Sequence, residues 1–152
     1  MRLSKQDDVK MWWSFKFKGS AMRYEVATAV ATGFIVWISR GFPAGANPDI
    51  SIFRKSGLKE LLLESGEKTI ADLGYRGEPE VINTPNVGTQ EYQDEMKEIR
   101  GRHETVNKRF KNWGVMKGPF RHSPVFHNTC FEAVAVLTQI MMERGEPLFQ
   151  VG

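Results

Sequence analysis

The chain has 152 residues, 41% of them apolar, and a single cysteine, Cys130; this is one domain's length with material for a core, and it excludes a fold stapled by intrachain disulfides. Its longest charge-free stretch, residues 26–39, falls short of the roughly 20 apolar residues of a membrane span, and with no secretory leader the expected setting is a reducing compartment inside the cell. Lysine and arginine number 21 against 18 acids, a net charge of +3 with a pI near 9.1, which alone points only weakly to an anionic partner.

In chain order, Trp13, Phe15 and Phe17 alternate with polar residues and predict a strand. Residues 24–38, rich in Val, Ala, Thr and Ile and interrupted at Thr32-Gly33, predict two strands joined by a turn. After a Gly- and Pro-rich loop at 41–48, Asp49 is placed to cap a helix running through Ser56, and residues 58–64 predict a further turn or two of helix. Thr69-Ile70-Ala71 predicts a short buried strand that leads into Asp72, with Gly74 and Gly77 for the turn behind it. Tyr92, Met96, Ile99, His103, Val106, Phe110 and Trp113 fall alternately four and three residues apart, one face of a long amphipathic helix that starts at Thr89 and ends on Gly114 as a left-handed cap. A last helix over 128–144 turns Phe131, Val134, Ala135, Leu137, Thr138 and Met141 inward. Strands first with helices around them predict one α/β sandwich.

The positive charge is placed rather than spread. Residues 9–23 hold Lys10, Lys16, Lys18 and Arg23 with no acid, and residues 97–121 hold eight basic residues against Glu98 and Glu104. Such patches suit a polyanion. Asp72 lies where a strand meets a glycine turn, a position from which a carboxylate either projects into the crevice at the strand's carboxyl end or bonds to its own turn. Glu104, mid-helix among Arg100, Arg102, Lys108 and Arg109, reads on its own as a surface acid pairing with Arg100 and Lys108.

Two strings alter that balance: Ala71-Asp72-Leu73-Gly74-Tyr75-Arg76-Gly77, and Arg102-His103-Glu104-Thr105-Val106-Asn107-Lys108-Arg109-Phe110-Lys111. Together with Trp12-Trp13-Ser14-Phe15-Lys16-Phe17-Lys18-Gly19, Arg23-Tyr24-Glu25-Val26, Pro48-Asp49, Phe120-Arg121-His122 and the tail Gly145-Glu146-Pro147-Leu148-Phe149, they resemble the PIF/Harbinger transposase nuclease, a DDE superfamily endonuclease, from residue 12 to the C-terminus. The resemblance implies a ribonuclease H-like mixed sheet flanked by helices. It also implies a triad of two aspartates and a glutamate holding two Mg²⁺ or Mn²⁺ ions for cleavage and strand transfer of DNA in the nucleus. Asp72 matches the second acid and Glu104 the third; the first acid and its strand have no counterpart, so the chain is expected to be truncated ahead of residues 1–11, where Asp7 and Asp8 are weak substitutes. Two-ion chemistry needs carboxylates on both ions. The competing reading is therefore a nuclease-dead relative that binds only DNA or a partner protein.

Lys16, Lys18, Arg100, Arg102, Lys108, Arg109 and Lys111 are candidate phosphate contacts, against the alternative of a solvated charged face. His122, His127 and Cys130 form a His-x₄-His-x₂-Cys array whose spacing fits no structural zinc motif. His103, on the apolar stripe, reads as a core histidine with its hydrogen bond satisfied, and Asp49 as a helix cap for which the resemblance also allows an accessory role at the active site. Trp12, Trp13, Phe15 and Trp113 read as core rather than as platforms for bases. The sequence shows no separate helix-turn-helix or zinc module for reading bases.

Overall fold

The computed structural model describes residues 5–16, 18–84 and 88–145. In chain order the elements are α1 (Lys5–Trp12), β1 (Trp13–Ser14), β2 (Gly19–Ser20), β3 (Met22–Arg23), β4 (Val26–Thr28), β5 (Ile35–Ile38), β6 (Phe42–Pro43), α2 (Asp49–Ser56), α3 (Leu58–Ser65), β7 (Thr69–Ile70), a 3₁₀ turn (Leu73–Tyr75), β8 (Ile82–Asn83), α4 (Gln90–Asn112), α5 (Gly114–Lys117) and α6 (Pro124–Glu143). They fall into two compact units, the first combining the chain up to Glu25 with Ser39–Thr84, the second Val26–Ile38 with the residues after Thr84. The class is α/β. The strands are two to four residues long and pair in four two-stranded sheets, not in the one sheet of the sandwich expected from their order.

In the first unit β1 and β2 form a hairpin, with Trp13 opposite Ser20. Phe17 of the predicted aromatic strand lies outside the described residues, and Phe15 stands 89% exposed in the turn. β3 pairs antiparallel with β6, Arg23 facing Phe42, a partnership between strands that have β4 and β5 between them in the chain and that no local pattern announces. Gly45 is driven against the end of α1: its N–H donates to the Met11 carbonyl at 2.9 Å, and a Cβ there would collide with the Lys10 carbonyl and stand 2.8 Å from that of Trp13. Only glycine lets the loop backbone approach so closely.

α2 and α3 bury Ile52, Phe53, Leu58 and Leu62, which with Phe42, Val81 and Ile82 form this unit's core. β7 and β8 run parallel, Thr69 opposite Ile82 and Ile70 opposite Asn83, so the chain leaves β7 at Ala71 and Asp72 and turns through the 3₁₀ segment before returning. Buried Glu78 fastens that return: it accepts from Arg54 Nε at 2.6 Å and Lys59 Nζ at 2.7 Å.

The second unit sets the β4–β5 hairpin, bulged between Ala27 and Thr28, against the two long helices. Gln139 on α6 accepts from the Ile35 N–H at 2.8 Å, and His103 Nε2 on α4 meets the Val26 carbonyl at 2.9 Å. Met96, Val106 and Phe110 of α4 and Phe131, Val134, Ala135, Thr138 and Met142 of α6 are buried, with Phe110 and Phe131 packed edge to face at 5.5 Å.

Thr89 caps α4 as expected, accepting from the Tyr92 N–H. Gly114 does not close it as a left-handed cap; Trp113 takes that place with an extended backbone and Gly114 opens α5. α6 starts earlier than its apolar spacing indicates, with Ser123 as N-cap and Pro124 in the first turn, because proline lacks the N–H that a first turn leaves unpaired anyway. Leu137 and Met141, expected inward, are 45% and 38% exposed; the buried seam runs through Thr138 and Met142 instead.

Candidate functional site

Asp72 follows the end of β7 and caps the 3₁₀ turn, its Oδ1 accepting from the Gly74 N–H at 2.8 Å. The plainer expectation for this residue, bonding to its own turn, therefore holds for one oxygen. Oδ2 has no hydrogen-bond or ion-pair partner among the described residues, and the residue is exposed. A carboxylate held by one backbone N–H and otherwise open to solvent is oriented yet still able to accept.

Asp49 stands across from it. The expectation that Asp49 caps α2 is not met: Pro48 occupies the cap position and no side chain closes the helix end. The Asp49 carboxylate turns instead to Arg23, accepting from Nη1 at 2.9 Å through Oδ1, since a guanidinium is a stronger partner than a backbone amide. Its Oδ2 lies 3.1 Å from where a Cβ on Gly74 would sit, and Asp72 Oδ1 lies 3.0 Å from the same point. Gly74 thus keeps open the space into which both carboxylates point.

Tyr75 closes the arrangement from inside. Its ring packs edge to face on Phe53 at 6.3 Å, and burial, followed by the nearby carboxylates of Glu25, Asp49 and Asp72, pushes its phenol well above the ordinary range, with Arg23 opposing. The hydroxyl stays protonated at any working pH. Glu25 is itself buried and accepts from the Ser56 hydroxyl at 2.5 Å, while its backbone N–H donates to Ser39 Oγ at 2.8 Å. The site is an acidic pair, Asp49 and Asp72, with one cation, Arg23, and a neutral phenol beside it.

Glu104 lies in the second unit, exposed on α4. It makes no ion pair with Arg100 or Lys108 among the described residues; the i, i+4 pair that forms on this helix is Glu98 with Arg102, at 2.6 Å. Arg100 Nε turns to the Met96 carbonyl. At about 3.6 residues per turn, Arg100, Glu104, Lys108 and Lys111 share one strip of the helix while Arg102 and Arg109 share another across the buried seam. The basic candidates on α4 therefore divide between two strips, and Lys16 and Lys18 sit in the β1–β2 turn of the first unit. His103 is the half-buried, hydrogen-bonded core histidine expected of it.

Among the described residues no three His, Cys, Asp or Glu side chains are grouped to hold a metal, which leaves the His122, His127, Cys130 array without support, and no described helix is long and apolar enough to cross a membrane. Sequence reasoning missed the partnership of Asp49 with Arg23, the nearness of Asp49 to Asp72, and the half-buried place of Tyr75 beside them. The signal for Tyr75 lay in its adjacency to the Asp72–Gly74 turn; the others join segments far apart in the chain and had none.

Fold and site together define an α/β protein in which the Asp72 carboxylate, just past a parallel strand, and the Asp49 carboxylate, at the start of a helix, approach each other over Gly74. The chain belongs to the DDE superfamily endonuclease family, whose model matches residues 2–139, a span that takes in Asp49, Asp72 and Glu104. No curated protein and no solved structure matches it.

Proposed function

We propose that this chain is the nuclease portion of a PIF/Harbinger-type transposase or a domesticated relative, with a ribonuclease H-like fold, cutting DNA phosphodiester bonds with Mg²⁺ or Mn²⁺. The observation that carries the reading is the convergence of Asp49 and Asp72 on the space over Gly74, in a chain of the DDE endonuclease family. Two carboxylates are the donor type a hard divalent cation takes, and Mg²⁺ needs only one or two of them because it keeps several waters. The residues fit such an ion: Asp72 and Asp49 would hold it, with Glu104 as the family's third acid. A divalent ion supplies positive charge to the phosphoryl oxygens and acidifies an attacking water. The chain's own groups do the rest. Arg23 fixes the Asp49 carboxylate, the Gly74 N–H fixes that of Asp72, and protonated Tyr75 adds no negative charge to the pair.

Lys16, Lys18, Arg100, Arg102, Lys108, Arg109 and Lys111 are the proposed phosphate contacts, and a nuclear address follows from DNA as substrate. Binding through them makes the logarithm of affinity fall linearly with the logarithm of salt, by about 0.9 per neutralised phosphate; a flat plot removes these contacts. A second reading, a relative that binds DNA or a partner protein without cutting, is favoured by one observation: no third ligand joins Asp49 and Asp72 among the described residues. Nicking of supercoiled plasmid separates the two. The nuclease nicks in Mg²⁺ or Mn²⁺ and loses that activity in Asp72→Asn and in Glu104→Gln; nicking that persists in either variant overturns the assignment of that residue.

A further inference from the structure

In the second unit, where the chain enters α6, three rings that the acidic site does not use gather around a fourth, Phe120. His127 lies 4.6 Å from it and His122 5.5 Å, both edge to face, and Phe126 lies 6.0 Å away, itself 5.6 Å from His122. This is not a closed core: Phe126 is 51% exposed and His122 is exposed. The rings adjoin an open groove of about 270 Å³ whose walls include Gly114, Gly118, Phe120, Arg121 and His122. A Cβ on either glycine would meet nothing within 4 Å, so the groove is open at both glycines. The volume falls below the roughly 300–1,000 Å³ typical of pockets for drug-sized ligands and suits a single planar ring.

Charge narrows the choice of ligand. From residue 114 to 127 the chain carries Lys117 and Arg121 and no aspartate or glutamate. Aromatic faces beside cations with no competing acid are what recognise a base together with its phosphate: the base stacks whatever its identity, and the cation takes the backbone. Desolvation holds the His127 imidazole below its ordinary pKa, so near neutrality it serves as an uncharged ring.

We propose that this groove takes one unpaired nucleotide of a DNA strand, its base against Phe120 and Phe126 and its phosphate on Arg121. Its discrimination is between unpaired and paired DNA, since a base within a duplex has no free face to offer. The inference rests on the reading that the chain acts on DNA, and its test is run without metal so that the two can fail separately.

The measurement is anisotropy of labelled duplexes with the full chain in EDTA, one duplex fully paired and one identical but for an internal run of unpaired thymidines. The DNA with unpaired bases is expected to bind about five- to a hundredfold more tightly, the range for loss of one stacked base. Phe126→Leu, which keeps an apolar side chain and removes the ring, is expected to abolish that difference; Arg121→Ala is expected to weaken binding and lower the salt slope by about one. Phe120→Leu provides a second reading should the first variant fail to fold. Equal binding of the two duplexes by the unaltered chain, or a preference that survives loss of either ring, overturns the proposal. A preference lost with the rings in a chain that cuts no DNA upholds it while the nuclease reading falls; Asp72-dependent cutting with no preference overturns it alone.

Discussion

Asp49 and Asp72 present carboxylate oxygens to one point above Gly74, at 3.1 and 3.0 Å from the position a Cβ would take. One acid opens a helix and the other follows a strand, and the missing side chain at Gly74 keeps the space beside both oxygens open. Gly74→Ala is therefore a probe of the pair that touches neither acid. Because the added methyl crowds both oxygens, Mn²⁺ affinity measured by calorimetry is expected to fall about tenfold or more, in the range seen when the surroundings of metal ligands are disturbed. Denaturation should move by less than about 0.5 kcal/mol, as for a surface change. Unchanged Mn²⁺ affinity would show that the ion does not bind there.

Glu78 links pH to stability. Hydrogen bonds from Lys59 and then Arg54 hold its carboxyl below the usual range, and the bond to Glu78 raises the Lys59 ammonium. A lowered carboxyl pKa contributes stability that is present above the unfolded value of about 4.3 and is lost as pH falls through the lower folded value; the raised lysine contributes below about 10.4 and loses its share as pH rises through its higher folded value. Urea unfolding of the native chain and of Glu78→Gln is expected to differ near neutrality and to converge at strongly acid pH. Curves that stay equally far apart at every pH contradict the ion-pair account.

Gly45 carries a purely steric prediction. With the Lys10, Met11 and Trp13 carbonyls all in the way of a Cβ, Gly45→Ala must displace backbone rather than a flexible side chain. A destabilisation of about 1–3 kcal/mol is expected from overpacking, read as a lower denaturation midpoint, with the β1–β2 hairpin and the end of α1 the first segments to lose amide protection.

His103 and Glu104 are neighbours with opposite roles. His103 bonds to the Val26 carbonyl, so His103→Ala leaves that acceptor unpaired and should cost about 1–3 kcal/mol of stability. Glu104 touches no described partner, and Glu104→Ala should leave the denaturation midpoint almost unmoved while abolishing nicking. The reverse pattern would exchange their roles.

What could be seen in the sequence was what is local. The four- and three-residue spacing from Tyr92 to Trp113 produced α4 and its Thr89 cap because a helix repeats its own pattern, and Thr32-Gly33 marked the turn between β4 and β5. Asp72 stood out for the same reason, a strand, an acid and a glycine turn in immediate succession. α6 starts ahead of its apolar spacing because Ser123-Pro124 precedes that spacing, and Leu137 and Met141 face outward on a helix that is apolar on more than one side, so its period does not single out the buried face. The pairing of β3 with β6, the turn of Asp49 toward Arg23, and its approach to Asp72 depend on contacts between distant segments. Propensity and spacing carry no trace of these.

Binding of a divalent cation by Asp72 with Asp49 is read out by letting Fe²⁺ take the place of Mg²⁺ and mapping where the radicals generated with ascorbate and peroxide cut the polypeptide. Cuts beside Asp49 and Asp72 are expected, suppressed by excess Mg²⁺ and absent in Asp72→Asn. Cuts confined to other segments, or cuts at β7 that persist in Asp72→Asn, would contradict it.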